Sequence, residues 1–151
     1  MTTSSPRPED LADAFFTVAH GLKRTVNARF QHTGLSLARL RVLFQLIDRP
    51  CRMGELSTCV DVAPRTMTST IEGMERDGLV VRQPDPADGR ATIVSITDAG
   101  RRSYTEGLRL QARAVADLFD ALDAEARSAL LETLERLEKI NAAAGEVPSP
   151  G

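Results

Sequence analysis

The chain has 151 residues, 42% apolar and 26% charged, which suits one compact domain or two small intertwined ones and excludes disorder as its main theme. Aromatic residues make up only 4% and tryptophan is absent, so a helical chain rich in Ala, Leu and Arg is favoured over an all-β architecture. The net charge of −2 hides an uneven distribution, because residues 20–52 carry seven Lys/Arg against Asp48 alone whereas residues 103–151 carry nine acids against five bases; a polyanion feels that distribution and not the sum.

Residues 1–9 and 145–151, rich in Pro, Ser and Gly, read as disordered ends. Leu11, Phe15, Val18, Leu22, Val26 and Phe30 recur at steps of three and four, which predicts a helix from about Glu9 to Gln31 with one apolar face. Gly34 breaks that pattern. Ser36 then caps a second helix lined on one side by Leu37, Leu40, Leu43, Phe44 and Ile47, and Asp48-Arg49-Pro50 end it. A short helix over Met53–Val60 turns Leu56 and Val60 inward, with Cys59 as a buried spacer. After a tight turn at Asp61–Ala63, Pro64 opens a fourth helix that buries Met67, Ile71 and Met74, points Arg65, Thr66, Thr68, Ser69, Glu72 and Arg76 outward, and stops at Gly78. Leu79–Arg82 and Ala91–Ile96 are β-branched runs around a polar, proline-stiffened tip and predict a hairpin. Thr97 caps a fifth helix carrying Tyr104, Leu108, Val115, Leu118 and Phe119, and a sixth begins at Asp123 with Leu130, Leu131, Leu134, Leu137 and Ile140 on its apolar side. The predicted class is mainly α with a small β-hairpin wing.

No apolar run approaches the roughly 20 residues that cross a bilayer, and the polar start lacks a signal-peptide core, so a cytoplasmic protein without a membrane partner is expected. Cys51 and Cys59 have no accompanying pair or nearby histidine, and His20 and His32 are not spaced as ligands, so neither a disulfide scaffold, a metal site nor a cofactor is predicted. An enzyme would need a nucleophile beside a base, or a phosphate loop, and neither motif is present.

Two helices joined by a three-residue turn, the second exposing small polar and basic side chains at its start, meet the requirements of a helix-turn-helix. In a major groove Arg65 can offer two donors to guanine while Thr66, Thr68 and Ser69 touch bases or phosphates. Arg90 at the hairpin tip suits the narrow minor groove, with Asp88 or the tip backbone orienting it. Helices one, five and six carry more apolar surface than one small head covers, which predicts a homodimer whose recognition helices lie about 34 Å apart on a pseudo-palindromic site.

The 47-residue stretch from Leu56 to Arg102 resembles the signature region of MarR-family transcriptional regulators: a Val-Ala-Pro-Arg-Thr-Met-Thr recognition helix, Asp-Gly-Leu-Val, an Asp-x-Arg wing and a Thr-Asp-x-Gly-Arg helix start follow in order. Two departures stand out, Gly89 where a second wing arginine is common and Ala63 where a serine cap is expected. The resemblance implies a winged helix-turn-helix with N- and C-terminal dimerisation helices: residues 10–35 and 103–144 dimerise and residues 36–102 bind double-stranded DNA. It also implies a transcriptional regulator, with repression the expected sign, released by a small lipophilic or phenolic ligand between head and dimer helices or by an oxidant. Phe16, His20, Phe44 and Ile47 are the ligand candidates, with core packing the favoured account of these side chains. Arg39 and Arg41 read as a solvated face ahead of phosphate clamps. Cys51, between Arg49 and Arg52, is the redox candidate, since cationic neighbours favour a thiolate; the peroxide-sensing branch places its cysteine near the start of helix one, where this chain has none. Two alternatives stay open: a winged-helix module for protein interaction or dimerisation without DNA binding, and a cysteine-based redox-responsive regulator.

Overall fold

The computed structural model describes residues 5–145, and the chain divides into two compact units, Met1–Ala114 and Val115–Gly151. Six helices lie among the described residues: α1 (Pro8–Phe30), α2 (Leu37–Leu46), α3 (Met53–Val60), α4 (Pro64–Arg76), α5 (Asp98–Asp120) and α6 (Ala124–Gly145). Three short strands, β1 (Cys51–Arg52), β2 (Val80–Pro84) and β3 (Thr92–Ile96), form an antiparallel sheet in the order β1-β3-β2. Helix α1 begins at Pro8, inside the segment expected to be disordered, because proline suits the first helical position and Asp10 accepts from the Arg7 backbone. Gly145, expected in the C-terminal disordered end, is the last residue of α6, and residues 1–4 and 146–151 lie outside the described residues.

In the first unit the core is built where α2, α3, α4 and the sheet meet. Val42, Leu43, Leu46, Leu56, Met67, Ile71, Met74, Val80 and Val94 are all at most 1% exposed. Each large aliphatic side chain so enclosed contributes on the order of 1.5–3 kcal/mol by burial. Helix α2 corrects the predicted face: Phe44 is 60% exposed and Val42 takes a core position, since both α3 and strand β3 pack against this helix. Ser36 caps α2 as expected, its hydroxyl accepting from Arg39 N–H at 3.2 Å.

Strand β1 was not foreseen. Its two residues pair Cys51 with Val94 and Arg52 with Ile93, placing a third strand beside the hairpin, and so short a segment has no alternation to read. The hairpin itself pairs Val80 with Ile96 through Pro84 with Thr92. Thr97 holds the start of α5 to the end of α4: its hydroxyl donates to Gly78 O at 2.7 Å and accepts from Gly100 N–H at 3.0 Å.

In the second unit Asp123 caps α6 by accepting from Ala126 N–H at 2.8 Å, and Arg127 pairs with Asp120 at 3.2 Å. Helix α6 has no buried side chain among its described residues, and Leu131, Leu134, Leu137 and Ile140 stand exposed along it. Phe119, Arg127, Leu130, Leu131 and Leu134 line an apolar hollow of about 230 Å³.

Candidate nucleic-acid interface

The turn between α3 and α4 is made by Asp61 at φ 53°, a left-handed conformation that aspartate tolerates better than most residues, followed by Val62 N–H donating to Ser57 O at 3.0 Å. Ala63 offers no side-chain cap, and Pro64 starts α4 in its place. The helix then buries Met67, Ile71 and Met74 and leaves Arg65, Thr66, Thr68 and Ser69 exposed. Thr68 donates its hydroxyl to Pro64 O at 3.0 Å, and Ser69 and Thr70 donate to Thr66 O at 3.0 and 2.8 Å. With those protons committed to the helix backbone, the hydroxyls of Thr68 and Ser69 offer lone pairs to solvent.

The far end of α4 is fastened by charges. Arg39 reaches from α2 to donate to Asp77 at 2.5 Å and to Gly34 O at 2.6 Å, and it lies so close over Gly73 that an added Cβ there would stand 2.7 Å from its guanidinium. Arg39 is therefore a brace, not the solvated residue or phosphate clamp considered above. Arg82 on β2 pairs with Glu75 at 2.7 Å and holds its carboxyl below the usual range through that hydrogen bond. Gly78, at φ 73°, ends the helix in the left-handed form expected, and Leu79 N–H returns to Met74 O at 2.9 Å. Arg41 remains exposed and, with Lys23, Asn27 and Asp61, borders a cavity of about 290 Å³ beside the start of α2.

The wing tip is organised by two aspartates. Asp85, 5% exposed, accepts from Ala87 N–H at 2.9 Å and pairs with Arg52 of β1 at 2.5 Å, while its own N–H donates to Ala91 O at 2.9 Å. The Ala87 N–H above all, and then the Arg52 guanidinium, hold the Asp85 carboxyl below the ordinary aspartate range, so it is charged at neutral pH. Asp88 accepts from Arg90 N–H at 3.1 Å, which orders the backbone of Arg90 and leaves its side chain at the exposed tip. Arg39, Arg52, Arg82 and Asp85 were not foreseen in these roles. For Asp85 a local signal existed, since Asp-Pro-Ala matches an aspartate that accepts from the backbone two residues on.

None of Phe16, His20, Phe44 and Ile47 lines either of the cavities described above. Phe16 is 70% exposed and His20 is exposed on α1; Phe44 packs against Tyr104 with ring centroids 6.4 Å apart, and half-buried Ile47 accepts from Arg101 through its carbonyl at 2.8 Å. Cys51 is in a setting opposite to the one expected of a redox thiol. It is buried on β1, its Sγ lies 3.5 Å from Gln45 O as a donor, and burial pushes the thiol up despite nearby Arg49, which is itself paired with Glu55. Cys59 is exposed, not the buried spacer expected, because it falls one residue before the inward Val60. In native protein a thiol reagent is expected to label Cys59 readily and Cys51 only on unfolding; mass spectrometry of the labelled chain checks this, and equal labelling would contradict the burial of Cys51.

Among the described residues no three His, Cys, Asp or Glu side chains form a group that could hold a metal ion, and no helix is long and apolar enough to cross a membrane. A helix-turn-helix with a sheet-borne wing defines a winged helix-turn-helix protein. The MarR family model matches residues 33–91. The chain is 27% identical over 119 residues to the HTH-type transcriptional regulator YdgJ of Bacillus subtilis, covering 78% of this chain and 73% of that protein. It is 32% identical over 96 residues to the HTH-type transcriptional repressor IacR of Pseudomonas putida, covering 62% of this chain and 58% of the relative. The fold matches apo MarR from E. coli with a TM-score of 0.77 at 21% identity, over 88% of this chain and 98% of that one. It also matches a mutant MarR from E. coli complexed with operator DNA, with a TM-score of 0.68 at 21% identity over 84% and 92% of the two chains. Over residues 33–91 the chain is similar to the MarR family, its fold is that of a winged helix-turn-helix, and the relatives it matches are HTH-type transcriptional regulators.

Proposed function

We propose that this protein acts in the cytoplasm as a homodimeric repressor that binds a pseudo-palindromic operator and is released by a small lipophilic or phenolic ligand. The reading half of each head is the first turn of α4, with Arg65 set against guanine in the major groove and Thr66, Thr68 and Ser69 on neighbouring bases or phosphates. Arg90, its backbone ordered by Asp88, enters the adjacent minor groove. The observation that carries this reading is the exposure of Arg65, Thr66, Thr68 and Ser69 on a helix whose opposite face is entirely core, in the same unit as a wing with an exposed arginine at its tip. Repression follows the sign named for the Pseudomonas putida relative.

Dimerisation is supported by apolar side chains left in water by a single chain: Leu11, Phe15 and Val18 on α1 and Leu131, Leu134, Leu137 and Ile140 on α6. Release by a ligand draws on the exposed Phe16, His20 and Phe44 with Ile47, which a second chain would enclose.

Selection of bound duplexes from random sequence, followed by band shifts at several salt concentrations, tests the assignment. Arg65→Ala is expected to cost about 1–3 kcal/mol on the selected duplex and to relax preference at one base pair. Arg90→Ala weakens selected and unrelated duplexes alike and lowers the salt slope by about one. Unchanged binding in both variants rejects the groove assignments, and a wild-type protein that selects no duplex favours the interaction-module reading.

A further inference from the structure

We propose that Arg52 is a positioning residue for DNA binding, acting through the buried Asp85 carboxylate to hold the wing tip in the form that presents Arg90. This rests on the reading of Arg90 as a groove contact and adds to it a residue outside both the recognition helix and the hairpin.

Asp85 is the one charged side chain in the buried class among the described residues. A carboxylate withdrawn from water needs a counter-charge and hydrogen bonds. Arg52 supplies the charge at 2.5 Å, from a side chain that is itself 53% exposed and so covers the carboxylate from the solvent side. Its backbone leaves it little choice of position: Arg52 is the last residue of β1, paired with Ile93 of β3, and immediately precedes the first residue of α3.

From that point order passes outward along the tip. Asp85 accepts from Ala87 N–H at 2.9 Å, Asp88 N–H donates to Asp85 O at 3.2 Å, Ala91 N–H donates to Asp88 O at 2.9 Å, and the Asp88 carboxylate then accepts from Arg90 N–H at 3.1 Å. Residues 86–90 contribute no buried side chain, so nothing apolar would hold this shape if the first bond were lost. Without Arg52, the buried Asp85 carboxylate must turn toward water. That turn releases Ala87 and lets the tip fray while the head's core, to which these residues do not belong, stays folded.

The test combines Arg52→Met and Asp85→Ala with Arg90→Ala, using a duplex recovered by selection, and adds amide exchange of the DNA-free protein. Arg52→Met is expected to weaken binding by about 5- to 30-fold, and by less than about twofold when Arg90 is already alanine, because the two changes remove one contact. Asp85→Ala gives the same pattern, and Arg52→Lys recovers most of the affinity. In free protein, exchange at Ala87 and Ala91 rises about tenfold or more in Arg52→Met while Ile71 and Met74 keep their protection. Additive losses mark Arg52 as a separate phosphate contact and overturn the proposal. Unchanged tip exchange overturns it as well, and so does a variant that loses protection throughout α4, which makes Arg52 a general stabiliser. If Arg90→Ala binds like the parent, the wing reading under the proposed function fails, and the exchange measurement alone still judges the role of Arg52 in ordering the tip.

Discussion

Gly100→Ala is expected to destabilise the head by about 3 kcal/mol, lowering its melting temperature by roughly 6–12 °C for a chain of this size. A Cβ at Gly100 would stand 2.2 Å from Leu79 O and 2.7 Å from Ile96 Cγ1. The first obstacle is backbone, so no rotamer change relieves it. Helix α5 would have to lift from the end of α4, and in lifting it would give up the Thr97 hydroxyl bonds to Gly78 O and Gly100 N–H, a cap whose loss costs about 1 kcal/mol by itself. Gly107→Ala is the control. There the added Cβ would meet Leu40 Cδ1 at 2.5 Å, the far end of a flexible side chain, and a milder loss of about 1 kcal/mol is expected. Denaturant melts of the two variants decide, and a Gly100→Ala protein that melts with the parent would contradict the close approach of α5.

Leu137→Glu is expected to convert the proposed dimer to single chains and to reduce operator affinity by about 100-fold or more, since binding the second half-site then ceases to be intramolecular. Leu137 is 52% exposed, and among the described residues α6 contributes no buried side chain to a single chain, so the substitution leaves intrachain packing intact. Sedimentation at micromolar concentration checks the assembly and band shifts check the DNA. A glutamate variant that sediments as a dimer and binds like the parent would remove α6 from the interface.

What could be read from the residues alone was whatever is carried by spacing and local chemistry. Met67, Ile71 and Met74 lie at steps of three and four, Pro64 and Gly78 bracket them, and α4 runs from Pro64 to Arg76 with those three side chains inside. Ser36 and Thr97 cap α2 and α5 as their positions at the helix starts suggested. The order of motifs from Leu56 to Arg102 pointed to the family. What escaped was set by pairing across the fold. Arg39 meets Asp77, Arg52 meets Asp85, and neither partner is near the other in sequence. Phe44 fits the apolar period of α2 as well as any core residue does, yet it is exposed while Val42 is buried, because contacts from the sheet and α3 decide which side of a short helix is inside. Cys51 looked cationic from its neighbours, but Arg49 is occupied by Glu55 and Arg52 by Asp85, so the thiol feels burial first.

The polar ties on α4 are unequally shared between its two ends. Arg39, Arg82 and the Gly78 turn grip the last turns, whereas Ala63 gives the first turn no side-chain bond at all. In its ties to the rest of the head the helix resembles a cantilever, held by ion pairs at the root and by none at the tip. If Arg65 and Thr66 read DNA as proposed, small adjustments of the first turn toward a base edge would leave the bonds at the root of α4 unbroken, and one helix would serve both a tight match and a tolerable near match.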